Sequence, residues 1–312
     1  MSIRRSILSV PGHMGKMHGK ARTSHADVIM LDMEDSVPFD GKLQARETII
    51  RSLLETDWGD KTLTVRINGL DTPFGYRDLL EVAEAAGSKL NAVVIPKVHS
   101  AGDIHFVSRM LDGIEMNNRI DHSIGIEASI ESAEGLENVS EIAAASPRLI
   151  SLVFGIADFS ASIGARLVSI SGHGENESDI YPGHRWHYAM SCIVTAAKAR
   201  GLIAIDSPYG NFRDMDGLSR SAVMTCSLGY DGKWAIHPDQ IATINAVFSP
   251  SQADIDLAQK VLEAYRQAKE EGRGAVAMDG RMIDNATVRL AQRVWNQAEK
   301  LGMVAEHPSS VL

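Results

Sequence analysis

Residues 28–35, Val28-Ile29-Met30-Leu31-Asp32-Met33-Glu34-Asp35, form an apolar run of strand length that closes on acidic side chains. A segment with helical periodicity follows from about Lys42 to Leu54, and the same alternation recurs along the chain at roughly even spacing. Short apolar runs alternating with amphipathic segments are the pattern of parallel strands joined by crossover helices. The other runs lie near Ser6–Val10, Leu63–Ile67, Ala92–Pro96, Ile124–Ser129, Ile150–Phe154, Ile203–Asp206 and Lys233–Ile236, so the alternation repeats eight times. Between and after them, helices are expected near Gly15–Ser24, Tyr76–Ala86, Ala101–Met116, Ala133–Ala145, His184–Ala199, Asp214–Leu228 and Pro238–Val247.

Eight such repeats predict an α/β chain folded as a (β/α)8 TIM barrel. At 312 residues the chain is longer than the roughly 250 typical of that fold, which leaves room for an appendage. The expected division is a barrel over residues 1–249 and a C-terminal helical extension over residues 250–312, acting as a lid or an inter-subunit arm. In the extension, Ser251 and Asp254 are placed as a capping box for a helix near Ala253–Ala268, with Ile255, Ala258, Leu262 and Tyr265 on one face. A stretch interrupted by Gly272, Gly274 and Gly280 precedes a last amphipathic helix near Ala286–Leu301. Within the barrel, a polar insertion between Gly164 and Gly183, bearing Gly172, Gly174, Glu175, Asn176, Glu177 and Ser178, is long enough to form a loop over an active site.

Composition narrows the function. Hydrophobic residues make up 44% and charged residues 23% of the chain, which predicts a sizeable core. The net charge of −9 argues against a general binder of nucleic acid or anionic membranes, so an anionic ligand needs a local basic patch. Two isolated cysteines, Cys192 and Cys226, fit a reducing cytoplasm, and no apolar run approaches the ~18 residues of a membrane helix. A Gly-x-Ser-x-Gly elbow, a Walker loop and a dinucleotide fingerprint are all absent from the sequence.

In a closed parallel barrel, residues just past each strand's C-terminal end converge on one rim. Here they are Glu34 and Asp35, Arg66 and Asn68, Lys97, Glu131, Asp158, Asp206 and His237, after strands two to eight in turn. Glu131 and Asp158 are one barrel repeat apart and should stand on adjacent strands. Two hard carboxylates suit Mg2+, acting as a Lewis acid on a chelating 2-oxo acid. A helix cap and an ion pair to Lys97 or Arg66 fit the same spacing equally well. Arg66 can steady a developing enolate or clamp a carboxylate, or else bridge structurally to Glu34 or Asp35. Glu34 and Asp35 can support metal-bound water or serve as scaffold. His237, without a partner at ligand spacing, reads as a hydrogen-bonded structural residue, and His184 with His187 is a weak zinc pattern. Asp284, directly before the last helix, has the position of an N-cap, with proton exchange at a thioester α-carbon as the alternative. The N-terminal segment is free of acids up to Asp27, and its Arg4, Arg5, Lys16 and Lys20, with Lys42 and Arg46, are candidates to hold coenzyme A phosphates.

Several ordered blocks of the sequence resemble the citrate lyase beta-subunit family, grouped with the HpcH/HpaI and 2-oxo acid aldolases, and within it the malyl-CoA and methylmalyl-CoA lyases. They include Val10-Pro11-Gly12, Leu31-Asp32-Met33-Glu34-Asp35-Ser36-Val37, Val65-Arg66-Ile67-Asn68-Gly69, Ile95-Pro96-Lys97-Val98, Ile130-Glu131-Ser132-Ala133-Glu134-Gly135, Gly155 to Asp158, Ile236-His237-Pro238 and, beyond the barrel, Asp279-Gly280-Arg281 with Asp284. The resemblance implies a metal, Mg2+ or alternatively Mn2+, held by Glu131 and Asp158, and Arg66 at the thioester carbonyl. It further implies Asp284 reaching the site of an adjacent subunit in a homotrimer or a hexamer built as a dimer of trimers. The expected reaction is reversible cleavage of malyl-CoA or methylmalyl-CoA to glyoxylate and acetyl-CoA or propionyl-CoA. The alternatives are citramalyl-CoA or citryl-CoA cleavage and malyl-CoA thioester hydrolysis. Partners are then small molecules, an acyl-CoA and a 2-oxo acid. One departure stands out: relatives often carry an arginine shortly after the first Pro-Gly, where this chain has His13-Met14-Gly15-Lys16. Lys16 can replace it only as a point charge.

Overall fold

The computed structural model describes residues 3–167, 185–272, 276–278 and 280–305. Most of the polar insertion, His184, Gly274 and Asp279 lie outside the described residues. Two compact units are present, Ser2–Asn245 and Ala246–Leu312.

The first unit is a closed eight-stranded parallel barrel, with neighbouring strands in sequence order and β8 paired back onto β1. Its strands are β1 (Ser6–Pro11), β2 (Val28–Asp32), β3 (Thr62–Arg66), β4 (Ala92–Ile95), β5 (Gly125–Ile130), β6 (Leu149–Phe154), β7 (Ile203–Asp206) and β8 (Gly232–Ala235). Each expected run lies within a residue or two of its observed strand. Ile7, Val28, Met30, Val94, Val153, Ile205 and Trp234 form one buried cluster. Side chains from opposite staves can meet this way only inside the barrel, where every second residue of a strand points. Arg4, just before β1, pairs with Glu127 in β5 on the far side, and Ser151 in β6 donates to the same carboxylate at 3.1 Å. The N-terminal half of the barrel interior is thus spanned by a satisfied charge pair.

The helical layer comprises α1 (Gly15–Arg22), α2 (Lys42–Glu55), α3 (Gly75–Ala86), α4 (Ala101–Asn118), α5 (Ala133–Glu137), α6 (Val139–Ala144), α7 (Ile156–Ser162), α8 (His187–Ala199), α9 (Met215–Leu228) and α10 (Gln240–Val247). The single helix expected over Ala133–Ala145 is two, broken at Asn138, whose side chain donates to His99 O at 2.9 Å. Helix α7 was not anticipated, and it carries Asp158.

In the second unit, α11 (Gln252–Glu270) and α12 (Asn285–Lys300) pack through Ile255, Ala258, Leu262, Tyr265, Val288 and Trp295. The capping box is present: Ser251 Oγ accepts from Asp254 N at 3.1 Å, and Asp254 Oδ2 accepts from Ser251 N at 2.9 Å. Between the helices lies a small antiparallel pair, β9 (Val276–Met278) and β10 (Arg281–Ile283), where a glycine-interrupted stretch was expected. Gly280, at φ 73°, supplies the left-handed backbone of its turn, and the Asp-Gly dipeptide there is a hairpin signal that the sequence reading passed over. Among the described residues, no helix is long and apolar enough to cross a membrane.

Candidate active site

The C-terminal mouth of the barrel is organised around an acid that the sequence reading counted only as the end of a strand. Asp32 closes β2 with 0% of its surface exposed, in register with Arg66 at the end of β3. Arg66 donates Nε to Asp32 Oδ1 at 2.6 Å and Nη2 to Oδ2 at 2.7 Å. The same carboxylate accepts the backbone N–H of Glu34 at 2.9 Å and of Ser36 at 3.2 Å, which folds the turn after β2 back over it. That turn delivers Glu34, whose Oε2 meets Arg66 Nη1 at 2.9 Å. The Arg66 guanidinium also stands over the Trp234 ring at 5.4 Å, so it is fixed on its edge and on its face.

Burial opposes the charge of Asp32, but Arg66 outweighs it and holds the carboxyl below its ordinary range. A depressed carboxylate stabilises the fold at pH above its unfolded value, and that contribution is lost as pH falls through the folded one. Replacing Asp32 by Asn leaves a buried guanidinium short of its main counter-charge. The expected cost is about 3–5 kcal/mol of unfolding free energy at pH 7, measured by urea denaturation.

Lys97, after Pro96 at the end of β4, bonds Glu34 Oε1 and lies 3.6 Å from Asp35 Oδ1 and 3.8 Å from Asp158 Oδ2. A chain of alternating charge therefore crosses the mouth: Asp32, Arg66, Glu34, Lys97, Asp158. Glu131 lies within the field of Glu34, Arg66, Asp158 and Lys97 but is not bonded into that chain. It follows β5 with 4% of its surface exposed, and its carboxylate takes no hydrogen bond or ion pair among the described residues. Gly155 lies so close that a methyl group on it would come within 2.3 Å of Glu131 Cγ. Burial first, then the charge of Glu34, pushes the Glu131 carboxyl up to about 8, with Asp158 adding to the effect.

An unpartnered buried carboxylate beside a second, half-exposed one is a donor set that a hard divalent cation relieves. No group of three or more metal-binding side chains occurs among the described residues, so such an ion would take its remaining ligands from water and substrate. Glu131 and Asp158 therefore fit Mg2+ chemistry, which keeps coordination positions open.

The structure brings Glu34, Asp35, Arg66, Glu131 and Asp158 together. Other rim residues are used elsewhere. Asp206 pairs with Lys233, which also reaches Ser221 of α9 at 3.2 Å, so this pair lies between sheet and helices. Asn68 donates to Asp78 at 2.6 Å. His237 is a hydrogen-bonded residue as expected, its Nδ1 accepting from Asp239 N at 3.2 Å and its ring stacked on Phe212. Of the basic residues assigned to coenzyme A, Arg5 spends its side chain on Asp27, with Nε at 2.9 Å and Nη2 at 2.7 Å, and this pairing rather than a phosphate explains its orientation. Arg4 and Arg46 are likewise committed, to Glu127 and Asp78, and Lys42 donates to the carbonyls of Met33 and Glu34. Lys16 and Lys20 remain exposed on α1.

Asp284 is the N-cap of α12. Its Oδ1 accepts from Ala286 N and Thr287 N, each at 3.0 Å, and from the Thr287 hydroxyl at 3.2 Å. The Thr287 backbone bond is the main cause of a carboxyl pKa below its ordinary value. Oδ2 takes none of these bonds.

An eight-stranded parallel barrel with a carboxylate pair and an anchored arginine at its C-terminal mouth has the form of an aldolase-type barrel. The chain belongs to the HpcH/HpaI aldolase/citrate lyase family, whose sequence profile matches residues 5–238. It is 43% identical to an L-malyl-CoA/beta-methylmalyl-CoA lyase of Rhodobacter capsulatus over 95% of both chains. Identity to a (3S)-malyl-CoA thioesterase of Cereibacter sphaeroides is 34%, again over 95% of each. Its fold matches that of the protein CitE of Mycobacterium tuberculosis in complex with magnesium, acetoacetate and coenzyme A, with TM-score 0.76 and 27% identity, over 95% of this chain and 98% of that one.

Proposed function

We propose that the chain is a Mg2+-dependent carbon–carbon lyase that reversibly cleaves a 3-hydroxy-3-carboxyacyl-CoA, malyl-CoA or methylmalyl-CoA, to glyoxylate and acetyl-CoA or propionyl-CoA. The observation that carries this reading is the buried, unpartnered Glu131 carboxylate with Asp158 as its charged neighbour. The higher identity to a lyase than to a thioesterase supports bond cleavage over hydrolysis.

Glu131 and Asp158 would hold the metal. When bound, Mg2+ polarises the hydroxyl or carbonyl oxygen of the oxo-acid portion and offsets its carboxylate charge. Arg66 steadies the thioester enolate. A guanidinium has five N–H groups; two donate to Asp32 and Nη1 faces Glu34 as an ion pair, which leaves donors for the thioester oxygen. The structural and functional readings of Arg66 are therefore compatible: Asp32 sets its orientation, and the remaining donors face charge that develops in the transition state. Glu34 and Asp35 support this arrangement through Arg66 and Lys97. As the carbon–carbon bond breaks the substrate hydroxyl gives up its proton to solvent, and Asp284 delivers one to the thioester α-carbon through Oδ2; in condensation it removes that proton and the new alkoxide takes one from solvent. In this reading residues 250–312 act as a lid or arm that brings Asp284 over the site of a neighbouring subunit in a trimer or hexamer. Lys16 and Lys20 meet the coenzyme A phosphates. A cytoplasmic location suits both the substrates and the two-cysteine composition.

A panel of 3-hydroxyacyl-CoA thioesters, incubated with and without Mg2+ and with every product identified, tests the reaction. Glyoxylate with acetyl-CoA or propionyl-CoA, formed only with metal, is the expected result. Pyruvate or oxaloacetate would mark citramalyl-CoA or citryl-CoA as the substrate, and free malate with coenzyme A would mark a thioesterase.

A further inference from the structure

Lys97 has a positive φ of 50°, shared among the described non-glycine residues only with Arg119. Side chains are strained in that region and glycine is not, so holding a lysine there works against the local backbone. The lysine side chain is 33% exposed at the mouth, whereas that of Arg66 is 9% exposed and anchored by Asp32 and Glu34. Lys97 Nζ makes one hydrogen bond, to Glu34, while Asp35 at 3.6 Å and Asp158 at 3.8 Å stand beyond hydrogen-bond distance. An ammonium has three N–H groups, which leaves two to donate. The carboxylates of Asp32, Glu34, Asp35, Glu131 and Asp158 outnumber the cations Arg66, Lys97 and Lys42 there. An anionic substrate entering this mouth needs a cation that is both exposed and not saturated.

We infer that Lys97 binds the carboxylate of the 2-oxo acid, an inference that rests on the metal reading of Glu131 and Asp158. The same position next to Asp158 makes Lys97 a competitor of the metal for that carboxylate and a source of repulsion toward it. Its removal therefore acts in opposite directions on the two ligands, tightening the metal and weakening the oxo acid.

Calorimetric titration of the full chain with MgCl2 alone, and then with glyoxylate at saturating Mg2+, tests this directly. Lys97→Met is expected to bind Mg2+ several-fold more tightly and glyoxylate roughly tenfold or more weakly, a loss in the range of a charged hydrogen bond. Lys97→Arg should recover part of the glyoxylate affinity. Lys97→Gly, which relieves the backbone strain, should show the same opposed shifts. Unchanged glyoxylate affinity in Lys97→Met overturns the inference. So does a joint weakening of both ligands with a lower melting temperature, which is the signature of a purely structural ion pair. The metal reading is checked separately with Glu131→Gln: Mg2+ binding that survives in that variant removes the foundation, whatever Lys97 does.

Discussion

Glu131→Gln is expected to abolish Mg2+ binding and to lower turnover roughly 10³-fold or more, while the metal-free protein becomes more stable than its parent. The opposed signs come from one cause. Glu131 is buried without a partner, and its carboxyl is pushed up to about 8 by burial and by Glu34. A group whose folded pKa is raised binds more protons when folded, so it costs stability progressively as pH climbs from the ordinary carboxylate range through about 8. The neutral amide removes that cost and also removes a ligand. Thermal melts in EDTA at pH 6 and pH 9 should show the parent losing stability between them and the variant losing much less. A variant that is less stable at pH 9 than the parent would mean that Glu131 has a partner after all.

Asp284→Asn and Asp284→Ala separate the two jobs of one side chain. Asparagine caps a helix about as well as aspartate, so Asp284→Asn should melt with the parent while losing roughly 10²–10⁴ in turnover, as expected for a lost general acid–base. Asp284→Ala should show the same kinetic loss and, in addition, a lower melting temperature from the lost bonds to Ala286 and Thr287. Full activity in Asp284→Asn, measured by glyoxylate release, would reduce Asp284 to a cap.

The barrel was legible because its rhythm is written in apolar runs: β2 and β7 fall at the residues expected, and the other strands within a residue or two. What periodicity could not show was the break at Asn138, whose side chain reaches His99 O of the loop after β4. Helix α7 is seven residues long, too short to announce itself by period. At the mouth, Glu34, Asp35, Arg66, Glu131 and Asp158 were found from one rule, that strand ends converge. The same rule also gathered Asp206, which the side-chain alternation of β7 and β8 turns outward to Lys233. Asp32 was overlooked because it sits inside the apolar run. The signal was there, since an acid within a buried strand, in register with an arginine on the next one, has few alternatives to pairing with it. Arg5 went the other way: it was expected among the cations for coenzyme A phosphates, although Asp27, just before the neighbouring strand, takes both of its prongs.

Anomalous diffraction from crystals grown with Mn2+ in place of Mg2+ bears most directly on the account. One manganese peak within bonding distance of a carboxylate oxygen from both Glu131 and Asp158, at the C-terminal mouth of the barrel, is the expected result. Manganese bound anywhere else, with Asp158 still facing Lys97 and Glu131 still without a partner, would contradict it.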